Sequence, residues 1–281
     1  MSTRRRTGWH RWANGVNLGA VIVVVFTAAP LYWLITGSLK SSTSLSASPP
    51  QAFPAPLTVS NYRDAFVTYT FGRYILNSVV VAVVSTAVVL VLGVLAGYAL
   101  ARLPIRGKFT IMVTLLMISV FPAIAVVSPL YLLEKRLGWL NSYQGLIVPY
   151  VAFNLPFAIW ILRNYMLGIP KELEESARVD GASLNRTVWS IILPAARPGI
   201  FTAGVFTFTA TWTEFLMALT FNSENSFRTI PVGIALFGSQ FVVPYGTIFA
   251  ASVVAIAPIA ILVLVFRRSV VSGLTAGAVK G

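Results

Sequence analysis

One polar stretch limits how this chain can be organised: Glu172-Leu173-Glu174-Glu175-Ser176-Ala177-Arg178-Val179-Asp180-Gly181-Ala182. It holds four of the eight acidic residues of a protein that is otherwise apolar and basic, and long hydrophobic stretches lie on both sides of it. Charged side chains are costly inside lipid. The stretch must therefore lie in water, where a soluble partner could bind it.

The composition is that of an integral membrane protein. Of the 281 residues, 57% are hydrophobic and only 10% are charged, against roughly 25% charged residues in a soluble domain. The absence of cysteine and the single histidine, His10, exclude disulfides, thiol catalysis and a Cys or His metal cluster, so no bound cofactor is expected. The basic residues behind the net charge of +13 are dispersed between apolar stretches, which favours a role in membrane topology over nucleic-acid binding.

The apolar stretches predict an all-α polytopic membrane protein in which residues 1–281 form a single transmembrane domain. Six stretches reach the roughly 20 residues that cross a bilayer, at about 16–36, 74–101, 109–132, 143–166, 199–220 and 247–267. The first stretch is too long for a signal peptide and lacks a clear cleavage site. The third and fourth helices are expected to be interrupted at Pro122, Pro129, Pro149 and Pro156.

The Lys and Arg residues predict the orientation of these spans. With the N-terminus inside, fifteen of them fall on the inner side and six on the outer side. This predicts cytoplasmic tails at 1–15 and 268–281, and it places the polar loop, about 167–198, in the cytoplasm as well.

The polar loop carries the signals of two short helices joined by a tight turn. Pro170 suits a first helical turn, and Glu174 and Arg178 have the spacing of a favourable i, i+4 pair. Gly181 is suited to end the first helix in the left-handed conformation, and Ser183 can cap a second one. These signals predict a compact helix-turn-helix knob, although an amphipathic hairpin lying on the membrane surface has the same pattern.

Several motifs resemble a known family. The polar loop resembles the coupling loop of importer-type ABC permeases, whose E-A-A…D-G-A…L-P signature is matched at Glu175, Ala177, Asp180, Gly181, Ala182, Leu193 and Pro194. Ser176 departs from the second-position alanine of the signature but is also small. The blocks at 77–78, 98–102, 121–122, 129–131, 137–150 and 273–281 are similar to the second permease of maltose-type sugar importers.

This resemblance implies a function and a set of partners. The chain would be a non-enzymatic permease subunit that imports a sugar or oligosaccharide, or alternatively a polyol phosphate of the glycerol-3-phosphate type. Its partners would be a homologous second permease, two ATPase subunits that bind ATP and Mg, and an extracytoplasmic solute-binding protein. The residues implied to couple to the ATPase are Glu174, Glu175, Ser176, Ala177, Asp180, Gly181, Ala182, Leu193 and Pro194.

Glu214 is the only acidic residue inside a predicted span. Facing lipid would cost at least about 2.5 kcal/mol, so it either lines a pathway or is hydrogen-bonded near the end of a helix. Tyr150, Phe153, Asn154 and Trp212 are further pathway candidates, although aromatic residues in spans also serve as packing. An autonomous secondary transporter would need more carboxylates in the spans, and an intramembrane enzyme would need a histidine or a carboxylate pair there.

The outer loop between the fifth and sixth spans contains apolar residues in an aqueous setting: Phe227, Pro231, Phe237 and Phe241. They either pack on the outer surface of the permease itself or contact a partner. The resemblance implies the second role, with the loop entering the cleft of the solute-binding protein.

Overall fold

All regular secondary structure in the described part of the chain is helical. The structure is a computed structural model that describes residues 8–54, 56–238 and 242–275, with side chains from 17 to 266 within these ranges. The α-helices are α1 (Gly8–Ser38), α2 (Ser42–Leu45), α3 (Ser60–Val67), α4 (Phe71–Arg102), α5 (Lys108–Val120), α6 (Ala123–Leu137), α7 (Gln144–Leu167), α8 (Glu172–Val179), α9 (Leu184–Thr187), α10 (Leu193–Ala195), α11 (Arg197–Thr213), α12 (Leu216–Phe221), α13 (Ile230–Ala235) and α14 (Tyr245–Thr275). A π-helical turn, Val188–Ile192, and a 3₁₀ turn, Asn225–Phe227, complete the set.

Four described helical segments are long and apolar enough to cross a bilayer: Asn17–Ser38, Phe71–Arg102, Gln144–Leu167 and Tyr245–Phe266. They agree with the first, second, fourth and sixth predicted spans to within a few residues. Two bent helix pairs pass the same test together, which raises the number of possible spans to six. The prediction of an all-α polytopic membrane protein is confirmed.

The third predicted span, 109–132, is interrupted at Pro122, as expected. It is divided into α5 and α6, whose axes are bent by 86°. Phe121 and Pro122 both have extended backbone (ψ 132° and 119°). For Phe121 this is expected, because a proline disfavours the helical conformation of the residue before it. The other expected interruptions are absent, since Pro129 lies inside α6 and both Pro149 and Pro156 lie inside α7.

The fifth predicted helix, 199–220, is wrong as a single element, because it has a break that was not predicted. Helix α11 ends at Thr213, and a new short helix, α12, begins at Leu216. Glu214 between them has extended backbone, with φ −64° and ψ 132°. Its side chain supplies the reason for the break, as its contacts below show.

Helices α4 and α7 pack closely because glycine allows their backbones to approach. A Cβ atom placed on Gly97 would lie 3.2 Å from the backbone nitrogen of Arg163 and 3.2 Å from Cβ of Leu162. One placed on Gly93 would lie 3.0 Å from Leu162 Cδ1. Gly93 and Gly97, four residues apart on one face of α4, thus mark the close approach of the two helices that carry the candidate site.

The described residues divide into two compact units: those up to Thr70 with Phe237–Val254, and Phe71–Leu236 with those from Ala255 onward. In the first unit Lys40 is 1% exposed. Its Nζ donates to the carbonyl of Gln51 and lies 4.3 Å from the centre of the Trp33 ring. The ammonium group of this buried lysine is thus held by a carbonyl and an aromatic ring. The second unit contains the polar loop.

Candidate functional site

The first half of the knob ends in a Schellman motif. Gly181 has φ +77°, and its N–H donates to the carbonyl of Arg178 at 3.0 Å. The N–H of Ala182 donates to the carbonyl of Ala177 at 2.9 Å. These two bonds satisfy the last carbonyls of α8, and they confirm the predicted left-handed stop at Gly181.

The second half of the knob begins with the predicted cap and contains an unpredicted π turn. The Ser183 hydroxyl accepts a hydrogen bond from the N–H of Arg186 at 3.3 Å. Farther on, Leu193 donates to the carbonyl of Val188, five residues back, immediately before Pro194, which has no N–H to donate. The helical segment Leu184–Ala195 then meets α11 at 75°.

The tip of the knob exposes both apolar and acidic side chains. Val179 is 88% exposed and Leu184 is 53% exposed, one on each side of the turn. The signature residues Glu175, Ser176, Asp180 and Gly181 are exposed as well. The knob therefore presents a surface of mixed chemistry around a fixed backbone turn.

Glu174 points the opposite way. It is 5% exposed, and its Oε1 lies 2.6 Å from Nε of Arg102, the last residue of α4. The hydroxyl of Tyr98, one turn earlier on α4, donates to Glu174 Oε2 at 3.2 Å. Glu174 thus pairs with Arg102 instead of the predicted Arg178, because helix packing brings the end of α4 beneath α8.

The base of the knob is apolar and continuous with the packing of the long helices. Ala177, Val188 and Ile192 are buried, and the last two belong to one cluster with Leu162 and Met166 of α7. Burying a side chain such as Ile192 is worth roughly 1.5–3 kcal/mol relative to leaving it in water. Of the signature residues in the second half, Leu193 packs against this cluster and Pro194 is half-buried.

Glu214 caps the short helix that follows it. Its carboxylate accepts hydrogen bonds from the backbone N–H groups of Met217 (2.8 Å) and Ala218 (3.1 Å). The hydroxyl of Tyr150, on α7, donates to Glu214 Oε2 at 2.5 Å. The hydrogen-bonded alternative considered for Glu214 therefore describes its position, and contact with a substrate stays a prediction.

The other pathway candidates differ in how accessible they are. Tyr150 is 2% exposed and Trp212 is 3% exposed, and the Trp212 indole N–H donates to the carbonyl of Ala255 at 3.0 Å. Phe153 and Asn154 are half-buried, and the Asn154 amide donates to the carbonyl of Tyr150 at 2.7 Å. In the isolated chain, Phe153 and Asn154 are more available to a solute than Tyr150 and Trp212.

The loop after α12 is fastened to the far end of α4. The Asn77 amide donates to the carbonyls of Ser226 (2.9 Å) and Arg228 (2.8 Å), and Ser78 Oγ accepts from the N–H of Ile230 at 2.8 Å. This end of α4 is opposite the end that holds the knob. The loop therefore lies close to the end of α4 that is farther from the knob.

The predicted contact residues of this loop are mostly engaged within the protein. The ring of Phe227 packs edge-on against Tyr143, and Phe237 stacks on Tyr69 at 4.3 Å between ring centres. Pro231 is half-buried in the first turn of α13. Phe241 lies outside the described residues. Their contact with a binding protein stays a prediction.

Sequence reasoning missed the partners that hold these sites in place. Arg102 and Tyr98 were noted only as part of a family-like block, and Asn77 only for its resemblance. No local signal pairs Arg102 with Glu174 or Asn77 with the outer loop, because these contacts join residues far apart in the chain. Among the described residues, no group of three or more His, Cys, Asp or Glu side chains could hold a metal ion.

Comparison with known proteins agrees with this architecture. A family model described as "binding-protein-dependent transport system inner membrane component" matches residues 89–275. The chain is 39% identical to the sulfoquinovosyl glycerol transport system permease protein of Agrobacterium fabrum, over 94% of this chain and 93% of that protein. It is 38% identical to the trehalose/maltose transport system permease protein of Thermococcus litoralis, over 94% and 95%.

A full-length relative and a solved structure extend the likeness. The trehalose transport system permease protein of Mycobacterium tuberculosis is 36% identical over 100% of both chains. A chain from the crystal structure of a bacterial ABC transporter involved in alginate import has the same fold, with a TM-score of 0.79, 21% identity and coverage of 95% and 99%. The chain thus belongs to the inner-membrane components of binding-protein-dependent transport systems and is a permease subunit of an ABC transporter.

Proposed function

We propose that this chain is one of two homologous permease subunits of an ATP-driven importer for a sugar or oligosaccharide. Two ATPase subunits would bind ATP and Mg and dock on the knob, and an extracytoplasmic solute-binding protein would deliver the substrate. The trehalose/maltose, trehalose and sulfoquinovosyl glycerol permeases among its relatives support a carbohydrate substrate.

The observation that carries the proposal is the division of the knob into a buried base and an exposed tip. Val179 and Leu184 expose apolar side chains on either side of a turn that two hydrogen bonds hold fixed, and docking on a protein partner would remove these side chains from water. The exposed acidic residues Glu175 and Asp180 lie beside them. The buried base, which packs against α7 and pairs with Arg102 of α4, favours a knob that stands on the long helices over a hairpin lying on the membrane surface.

The arrangement of the two ends of α4 supports a cytoplasmic knob. Arg102 and the basic residues of the polar loop gather at one end, and the outer-loop segment is fastened near Arg73 at the other, where Arg73 Nε donates to the carbonyl of Ser226. The excess of Lys and Arg on the side of the knob favours the cytoplasm. Both termini would then be cytoplasmic.

Contact with the solute-binding protein would use the exposed part of the outer segment. Phe227 and Phe237 already pack internally, whereas Val243 is 49% exposed and Tyr245 is 60% exposed. A loop that promotes release must favour the open form of the binding protein over the closed, loaded form. In the pathway itself, Phe153 and Asn154 would face the solute, while Tyr150 and Trp212 hold neighbouring helices.

The experiment is a co-purification of tagged permease with its genetically linked partners, followed by uptake assays with trehalose, maltose and glycerol 3-phosphate. Val179→Asp should reduce recovery of the ATPase at least several-fold, because it places a charge in the apolar tip. Leu236→Asp is the matched control, since Leu236 is 47% exposed but far from the knob along the chain. Equal ATPase recovery with both variants would contradict docking on the knob. Uptake of glycerol 3-phosphate and of neither sugar would contradict the proposal of a carbohydrate substrate.

A further inference from the structure

Three contacts join the polar loop to the last turn of α4. Arg102 Nε lies 2.6 Å from Glu174 Oε1, and Arg102 Nη2 donates to the carbonyl of Ile169 at 2.6 Å. The Tyr98 hydroxyl donates to the other carboxylate oxygen of Glu174. One guanidinium therefore holds the loop at two points, at the turn before α8 and inside α8 itself.

The burial of this pair separates Glu174 from the exposed surface of the knob. The side chains of Arg102 and Glu174 are 5% and 7% exposed, whereas the neighbouring Glu172 and Glu175 are exposed. A partner that touches the tip therefore cannot reach the Glu174 carboxylate. Whatever Glu174 contributes to transport, it contributes through α4.

The attachment of the loop to Arg102 at two points restrains the orientation of α8 as well as its position. A planar guanidinium holds its nitrogen atoms in a fixed fork. Nη2 of Arg102 donates a hydrogen bond to Ile169, and Nε makes a close charge contact with Glu174, so the two contacts together restrict rotation of α8 about the end of α4. The chain already connects the loop to α7 through residues 168–171. The contacts of Arg102 also attach the loop to α4, the other helix of the closely packed α4–α7 pair.

We propose that Glu174 and Arg102 form the joint that makes the knob and α4 move as one body when the ATPase moves the knob. Glu174 is a positioning residue here, acting through Arg102, while the exposed tip makes the contact. The inference rests on the proposed function for the source of the movement. The joint itself is a property of this chain alone.

The test measures a distance inside the permease. The chain has no cysteine, so Leu173→Cys and Leu76→Cys, in the first turn of α8 away from the tip and near the far end of α4, introduce its only two labelling sites. Both positions are exposed, and α4 alone separates them by roughly 39 Å at 1.5 Å per residue. Pulsed electron paramagnetic resonance on spin-labelled protein would be recorded without nucleotide and with ATP and vanadate trapped in the complex.

An intact joint should give one narrow distance that does not change when nucleotide is trapped. Glu174→Gln, which keeps the size and removes the charge, should broaden the distribution and shift it on trapping. Glu172→Gln is the matched control, because it removes the same charge from the exposed face of the same helix. Arg102→Met combined with Glu174→Gln should broaden the distribution no more than the stronger single variant, as expected for residues that act as a pair.

Two results would overturn the joint: a distribution for Glu174→Gln equal to that of Glu172→Gln, or a wild-type distance that changes on trapping. If Glu174→Gln fails to fold, Arg102→Lys decides instead, since a lysine keeps the charge but cannot reproduce the fork. Failure of an ATPase to co-purify would count against the proposed function only. The lone permease would still test the joint, because breaking it should broaden the distance without any partner.

Discussion

Replacing Gly181 by valine should misplace the tip of the knob without disturbing the rest of the permease. Gly181 has φ +77°, and a Cβ atom there would meet nothing within 4 Å. The cost is therefore backbone strain alone, about 1–2 kcal/mol for a residue with a side chain in the left-handed region. Relaxing the turn instead would lose the two Schellman bonds, at about 0.5–1.5 kcal/mol each.

A penalty of about 1–2 kcal/mol corresponds to a factor of about 5–30 in an equilibrium constant. The Kd of the purified permease pair for its ATPase, measured by titration, should rise by that factor in Gly181→Val. Gly181→Asn should have a smaller effect, because asparagine tolerates the left-handed conformation. The amount of permease in the membrane should stay normal.

The control variant is Gly138→Val. Gly138 has φ +69° and also has nothing within 4 Å of an added Cβ, but it ends α6 and lies outside the knob. It should carry the same strain and leave the Kd for the ATPase unchanged. An unchanged Kd in Gly181→Val, or an equal rise in both variants, would refute the role of this turn in docking.

Two further predictions concern the break in the fifth span and the orientation. Glu214→Ala removes the cap of α12 and the acceptor of the buried Tyr150 hydroxyl, so the free energy of unfolding in detergent should fall by roughly 2 kcal/mol or more. Glu214→Gln should lower the free energy of unfolding less. A wild-type free energy of unfolding for the alanine variant would contradict the capping role. A cysteine at Ser183 should be shielded from impermeant thiol reagents in intact cells, while one at Ser226 should react; labelling of Ser183 from outside would reverse the orientation.

The knob was predictable because its signals are local. Gly181 and Ser183 act on backbone groups within five residues of themselves, so the stop and the cap can be recognised in the sequence alone. The π turn before Pro194 was missed, although the missing N–H of the proline was visible. A proline shows that a helix must adjust, but it does not show how.

For physical reasons, the sequence alone could not tell which proline interrupts its helix, nor could it predict the break at Glu214 or the long-range pairs. Pro122 interrupts a helix that is largely exposed there, whereas Pro149 and Pro156 are buried in α7, where packing against α4 keeps the helix intact. Glu214 breaks a span because its carboxylate replaces backbone partners, which depends on the fold around it. Arg178 was the nearest cation to Glu174 along the helix, but tertiary packing supplied Arg102.

The π turn also fixes a length. Each residue of an α-helix turns the chain by about 100°, so adding or removing one residue between Gly181 and Pro194 would rotate the tip away from the base. Pro194 cannot donate the bond that a regular α-helix would need there, and the wider turn at Val188–Ile192 accommodates one extra residue instead. The two halves of the loop signature are consequently held at a set spacing. The length of the segment between them should therefore be more constrained than its amino-acid sequence.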